Sequence, residues 1–263
     1  MVNHSLPEYV IVTGAGRGIG KAVALSLAAE KCKILCLSKT VSCQTTADEI
    51  IANGGQASAL VLDISEYDLA QSKVLSWISE KKCSRIGVVA AAGILGPAGS
   101  LTQTSLLDWE KALKVNLLGN LAIVKATLPT MEQAQYGRLV MFAGGGAAYA
   151  NPTFPAYACS KAAVVRAVEN IAEDLQGKDD IAITCIAPGA IETDMLTVVR
   201  QHGGEVRSPG QMSDVIVCVK ALLGQRAKIL SGCFVHVRDN WAAQLEGQAP
   251  TLSKDHWKLR RVQ

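Results

Sequence analysis

Residues 9–29 read YVIVTGAGRGIGKAVALSLAA: an apolar run, then glycine at every second position from Gly14 to Gly20, then an alanine-rich stretch. The apolar run lacks polar alternation, which suits a strand covered on both faces. From residue 18 onward the apolar positions recur at helical spacing. A strand that passes into a helix in this way suits a parallel sheet, whose crossovers need a helix to carry the chain back. Without Cβ atoms the glycines let the backbone approach an anion, which then faces the positive end of the helix. A pyrophosphate fits that setting, so the loop from Gly14 through Gly18, Ile19 and Gly20 is read as a dinucleotide site.

The same order repeats along the chain. Apolar runs at 9–13, 33–37, 57–62, 86–91, 138–143, 181–187 and 233–237 alternate with amphipathic stretches such as 18–30, 43–53, 66–81, 105–135 and 156–176. This predicts an α/β protein, a Rossmann-like doubly wound parallel sheet with right-handed crossovers. No linker or repeat divides the chain, so residues 1–242 are expected to form one dinucleotide-binding domain. Residues 243–263 break the rhythm and are expected to form an irregular extension.

Composition narrows the partners. With 49% apolar and 19% charged residues, the 263-residue chain can bury a sizeable core. The net charge of +3 comes from scattered basic residues with no stripe suited to nucleic acid, KLRR near the end aside. The eight cysteines form no CxxC pair, and Cys36, Cys185, Cys218 and Cys233 lie in apolar segments, as reduced thiols of a cytoplasmic protein do. The histidines are isolated, without metal-ligand spacing. MVNHSLPEYV has no apolar core of signal-peptide length, and the longest uncharged run contains GGG and two prolines, a poor membrane span. The expected partner is a small molecule, not nucleic acid or a membrane.

Within 156–176, Val164, Val168, Ile171 and Leu175 form an apolar stripe that Tyr157 and Lys161 extend toward the helix start. Polar tips on a buried stripe need a reason. A free phenol titrates near 10, too high for ready proton exchange at neutral pH. An ammonium one turn away is expected to favour the phenolate, making Tyr157 and Lys161 a proton-transfer pair.

The spacing TGxxxGxG, YACSK (Tyr157, Lys161) and VNLLGN (Asn116) resembles the short-chain dehydrogenase/reductase family. Further matches are Asp63 after the third apolar run, AAAG (Ala90–Gly93) after the fourth and APGAIETDM after the sixth, so the resemblance spans roughly residues 8–240. It implies about seven parallel strands, a nicotinamide dinucleotide at their carboxyl ends, and interconversion of a carbonyl with a secondary alcohol by hydride transfer. It further implies that Tyr157 is the general acid or base, that Lys161 also holds the nicotinamide ribose, and that Asn116 keeps a relay water. Cofactor contacts carried over in the same way fall at Ala91, Gly93, Pro188, Gly189 and Thr193, with Asp63 at the adenine amino group. Read alone, Asn116 equally suits a structural amide, and Thr193 and Asp63 equally suit helix caps.

Selectivity for NAD normally needs a carboxylate after the second strand. CLSKT has none there, and Ser38, Lys39 and Arg17 of the glycine loop suit a 2′-phosphate. NADP(H) is favoured over NAD(H), the alternative being that both cations are ordinary surface charges. Ala90 and Ala91 also depart from the family's usual Asn-Asn-Ala-Gly, whose amides help to hold the strands around the cofactor.

The family's active-site serine falls at Gly144, inside GGG, where no neighbour supplies a hydroxyl. Losing one oxyanion donor typically costs about 10²–10³ in rate. Either a backbone N–H of Gly145 or Gly146 replaces it, with Thr153 or Tyr149 as further candidates, or the chain binds cofactor without efficient chemistry, as a scaffold would. Substrate choice is expected from loops 94–104, 147–156 and 194–214, with GGEVRSPG (203–210) as a lid or an ordinary surface loop. In the tail, Trp241 and Trp257 are expected to dock on a neighbouring subunit or border the cleft, and Arg260 and Arg261 to meet an anionic substrate. A faint likeness to family members of surface-sugar metabolism suggests a sugar-like substrate. Helices 115–135 and 156–176 are long enough for the helical interface by which family members form homodimers and homotetramers.

Overall fold

The computed structural model describes residues 6–178, 180–204, 206, 209–253 and 255–260. Strand β1 (Tyr9–Thr13) shows why its sequence lacks alternation. Val10 and Val12 point into one apolar core with Val23, Leu27, Val219 and Leu222, while Ile11 points into another with Val74, Ile78, Ile123, Val164 and Val168. Both faces of the sheet are covered, so every position is apolar. Each such fully buried side chain contributes about 1.5–3 kcal/mol.

The elements then follow in strand–helix order: α1 (Gly18–Ala29), β2 (Lys33–Ser38), α2 (Ser42–Ala52), β3 (Gln56–Val61), α3 (Tyr67–Lys81) and β4 (Ile86–Ala90). Next come α4 (Leu106–Leu113), a π-helical turn at Lys114–Gly119, α5 (Asn120–Ala134), β5 (Tyr136–Phe142), a 3₁₀ turn at Gly145–Ala147 and α6 (Pro155–Asp174). The chain continues through β6 (Asp180–Ala187), α7 (Asp194–Gln201), α8 (Met212–Leu223), β7 (Phe234–His236) and α9 (Trp241–Glu246). The seven strands form one parallel sheet in the order β3-β2-β1-β4-β5-β6-β7. The order reverses between β1 and β4, and that reversal opens a crevice at the carboxyl ends of the strands.

Two details depart from the sequence reading. The stretch 105–135 is not one regular helix: the π turn inserts a wider ring between α4 and α5, as π turns often do beside functional sites. Helix α7 falls within 194–214, expected as a loop, and α8 follows it, buried through Val215, Cys218, Val219, Leu222 and Leu223.

The tail folds back on its own chain. The N–H of Phe234 donates to the carbonyl of Trp257 at 2.7 Å, and Trp241, Leu252 and Trp257 pack against the α1/α8 core. Both tryptophans are thus engaged in part with the body of their own chain. Among the described residues, no helix is long and apolar enough to cross a membrane.

Candidate active site

The glycine loop is shaped by close approach. Gly14 has φ +68°, and a Cβ there would lie 2.9 Å from Cα of Ala92. Only glycine lets the two loops touch. Helix α1 starts from the extended Arg17 without a side-chain cap and without an acidic residue in its first turn. Its first helical bond runs from the N–H of Lys21 to the carbonyl of Arg17, so the N–H groups of Gly18, Ile19 and Gly20 have no acceptor among the described residues. Three free donors at a positive helix end fit a pyrophosphate. Thr193 borders the same loop, its Cγ2 lying 3.4 Å from where Gly18 would carry a Cβ. Pro188 and Gly189 lead into it from the end of β6.

At the end of β2, Ser38, Thr40 and Ser42 gather their hydroxyls: Ser38 donates to the carbonyl of Thr40 at 2.6 Å, and the Thr40 and Ser42 oxygens are 2.8 Å apart. A side chain on Gly16 would collide with Ser42, which places this cluster directly under the loop. Lys39 pairs with Asp63 at 2.7 Å; desolvation pushes the Asp63 carboxyl up, but hydrogen bonds from Lys39 and Ser65 and the charge of Lys39 together bring it below its usual range. Arg17 pairs with Asp194 at 3.0 Å. The Arg17–Asp194 pair is exposed on both sides and therefore weak, whereas Asp63 is half-buried beside an exposed Lys39.

On the other side of Ala92, the side chains of the second motif converge. A Cβ on Gly93 would lie 3.3 Å from Oδ1 of Asn116 and 3.5 Å from Nζ of Lys161. Lys161, only 4% exposed, donates to the carbonyl of Phe142 at 2.7 Å, and its Nζ is 5.4 Å from the centre of the Tyr157 ring. A Cβ on Gly144 would lie 3.4 Å from the Tyr157 hydroxyl. Gly144 has an extended backbone open to any residue. The chain therefore brings Gly93, Asn116, Gly144, Tyr157 and Lys161 together, one loop away from the glycine loop.

Asn116 is engaged through both atoms of its amide. Its Oδ1 accepts from the N–H of Ile94 at 2.8 Å, and its Nδ2 donates to the Ile94 carbonyl at 2.9 Å and to Oγ of Ser160 at 2.8 Å. Ser160 in turn donates to the Tyr157 carbonyl at 2.7 Å. Both amide donors are spent on clamping the 94 loop to α6.

The electrostatics also correct the sequence reading. Burial pushes the Tyr157 phenol up to about 12 and the Lys161 ammonium down to about 8, the Cys185 thiol opposing the second shift weakly. Desolvation outweighs the expected pull of ammonium on phenol, because Lys161 turns its donor toward a carbonyl. The phenol is therefore protonated at neutral pH, the form that can donate.

The substrate-side loops meet at the start of α6. The N–H of Gly99 donates to the Thr153 carbonyl at 2.9 Å, and His202 packs edge-on against Phe154 with ring centres 5.7 Å apart. Ala190 bridges Pro209 at the base of the α7 segment. Tyr149 is largely exposed. Of 203–210, residues 205, 207 and 208 lie outside the described residues, as does Arg261. Arg260 does not face the cleft: it pairs with Glu169, more than two turns beyond Lys161 on α6, and with Asp255. Residues that sequence reasoning passed over are Thr13, Asn120, Ser160, Thr40 and Ser42. Ser160 stood beside Lys161 in YACSK and Ser42 stood in SKTVS, but a hydroxyl gives no periodic signal.

A family model described as short chain dehydrogenase matches residues 8–203. A short chain dehydrogenase of Pseudocercospora fijiensis is 30% identical over 256 residues, which cover 90% of this chain and 82% of that protein. Among solved structures, one assigned to an NAD(P)-dependent gluconate 5-dehydrogenase of Beutenbergia cavernae, with NADP bound, superimposes with a TM-score of 0.81 at 26% identity, covering 90% of this chain and 97% of that one. A 7α-hydroxysteroid dehydrogenase holding NADH and a 7-oxo bile acid has a TM-score of 0.77 at 29% identity, covering 87% and 92%. With a glycine loop, a parallel seven-stranded sheet and a tyrosine–lysine pair on one crevice, this chain belongs to the short-chain dehydrogenase/reductase family, enzymes that interconvert carbonyls and alcohols with a nicotinamide dinucleotide.

Proposed function

We propose that the chain is an NADP(H)-dependent reductase of a polar, sugar-like carbonyl compound, with Tyr157 as the proton donor. The observation that carries this reading is the meeting of Gly144, Tyr157 and Lys161 beside Gly93, next to the loop of uncapped N–H groups. When bound, the dinucleotide supplies the hydride. The N–H groups of Gly18, Ile19 and Gly20 would hold its pyrophosphate, with Thr193, Pro188, Gly189, Ala91 and Gly93 lining its path. The Ser38, Thr40 and Ser42 hydroxyls, Lys39 and Arg17 would hold a 2′-phosphate, and no carboxylate stands after β2 to repel it. Arg17 can leave its exposed partner Asp194 at little cost.

The neutral Tyr157 phenol donates its proton to the oxygen that gains negative charge. Lys161 holds the positive charge behind it, and Asn116 keeps the 94 loop and α6 at a fixed separation. A sugar-like substrate is favoured by Asn151 and Thr153 at the start of α6 and by the likeness to a gluconate dehydrogenase. A homodimer through α5 and α6 and a cytoplasmic location complete the proposal.

Gly144 supports a second reading, a cofactor-binding protein with weak chemistry. The Gly145 and Gly146 N–H groups, which open the 3₁₀ turn and find no acceptor among the described residues, favour the first. Proline is compatible with the first position of such a turn and removes one of these donors. Gly145→Pro is expected to fold and bind cofactor while losing about 10²–10³ in kcat. The whole reading is tested by fluorescence titration with NADPH and NADH, then a panel of ketones and sugar-like carbonyls with wild type and Tyr157→Phe. Tight NADPH binding and turnover lost in the variant support it; tight binding without turnover across the panel supports the scaffold reading.

A further inference from the structure

We infer that Asn120 is a positioning residue: its side chain fixes the junction between the glycine loop and the Lys161 pocket. The inference rests on the functional reading above only in what the junction is for.

Asn120 is 1% exposed and begins α5, directly after the π turn. Its Oδ1 accepts from Oγ1 of Thr13 at 2.7 Å, and that hydroxyl accepts from the N–H of Ala92 at 3.0 Å. Its Nδ2 donates to the carbonyls of Ala92 at 2.9 Å, Val115 at 3.2 Å and Asn116 at 3.2 Å. One side chain thus ties three segments that are distant in sequence: the end of β1, one residue before Gly14; the loop after β4, one residue before Gly93; and the turn that carries Asn116. The amide can sit only one way, because flipping it would set its oxygen against three carbonyls. Thr13 is fully buried as well, so no water competes for these bonds.

The circuit stands immediately behind the site. Ala92 touches Gly14 on one side, and on the other Gly93 lies against Asn116 and Lys161. Asn116 spends its own donors on Ile94 and Ser160, so Ala92 has its side-chain anchors in Thr13 and Asn120 alone among the described residues. Releasing Ala92 would let the 91–95 loop shift toward the glycine loop or toward Lys161.

The test uses Asn120→Leu, Asn120→Asp, Thr13→Val and Thr13→Ser in the full chain. Backbone hydrogen exchange is followed in the peptide containing residues 91–95, together with the NADPH dissociation constant and the melting temperature. Asn120→Leu, Asn120→Asp and Thr13→Val are expected to speed exchange at 91–95 selectively and to weaken NADPH binding about tenfold or more. Thr13→Ser, which keeps the hydroxyl, should restore both. Thr13→Val keeps the measurement available should the Asn120 variants fail to fold. A lower melting temperature with unchanged exchange at 91–95 and NADPH affinity within twofold of wild type would overturn the inference, leaving Asn120 a packing residue. The exchange readout needs no cofactor, so its failure is separable from a failure of the functional reading, which would appear as wild type that does not bind NADPH.

Discussion

Helix α6 buries two charges little more than two turns apart, and it treats them in opposite ways. Glu169, 7% exposed, is met by Arg166 and Arg260, with Lys258 at 3.9 Å. Lys161, 4% exposed, is met by one carbonyl and no carboxylate. The first charge is balanced and its carboxyl is held below the usual range, chiefly by hydrogen bonding from Arg260. The second is unbalanced, and burial brings it to about 8. A balanced buried charge fastens the tail to the body of the protein. An unbalanced one is costly to keep and is placed where proton transfer needs it.

Removing the phenol beside the unbalanced charge should have the largest effect. Tyr157→Phe is expected to lower kcat for carbonyl reduction by about 10²–10⁴, with NADPH affinity nearly unchanged. Lost affinity would mean that the hydroxyl binds rather than reacts.

Stability should respond with opposite signs at the two sites. Lys161→Met removes a desolvated charge at similar volume and is expected to stabilise the fold by about 1–3 kcal/mol at neutral pH, visible in denaturant melts. The pKa of Lys161 is lowered in the folded chain, so the unfolded chain binds the extra proton. The wild-type penalty therefore applies in full below about 8 and shrinks as pH rises toward the ordinary lysine range. Glu169→Gln is expected to destabilise by about 1–2 kcal/mol, the cost kept small because Arg166 and Arg260 reach solvent. The Glu169 carboxyl is lowered on folding, so its contribution is present above the ordinary glutamate range and is lost as pH falls through it. The stability gap between wild type and Glu169→Gln should therefore narrow as pH falls below the ordinary glutamate range. Equal stability of both variants to wild type would erase the contrast.

Much of this was legible in the sequence. β1, β2 and β4 announced themselves because strands buried on both faces are apolar at every position, and Gly14 because close backbone contact excludes Cβ. Tyr157 and Lys161 stood out as polar tips on an apolar stripe. The π turn was not legible, since its hydrophobic pattern is that of an ordinary helix across 105–135. The fate of Arg260 was not legible either: its partner Glu169 is 91 residues away, and charge alone does not say whether it meets a substrate or a helix. Nor did spacing show that Lys161 faces a carbonyl, which is why the expected pull on the phenol gave way to burial.

The most direct test of an unbalanced Lys161 needs no substrate. The lysine side chains of the free protein can be titrated by NMR, with Lys161→Met identifying the resonance. One lysine is predicted to titrate near 8 and to vanish in the variant. If every lysine instead titrates in the ordinary range, Lys161 is not a desolvated, unpaired charge, and the contrast between the two ends of α6 fails.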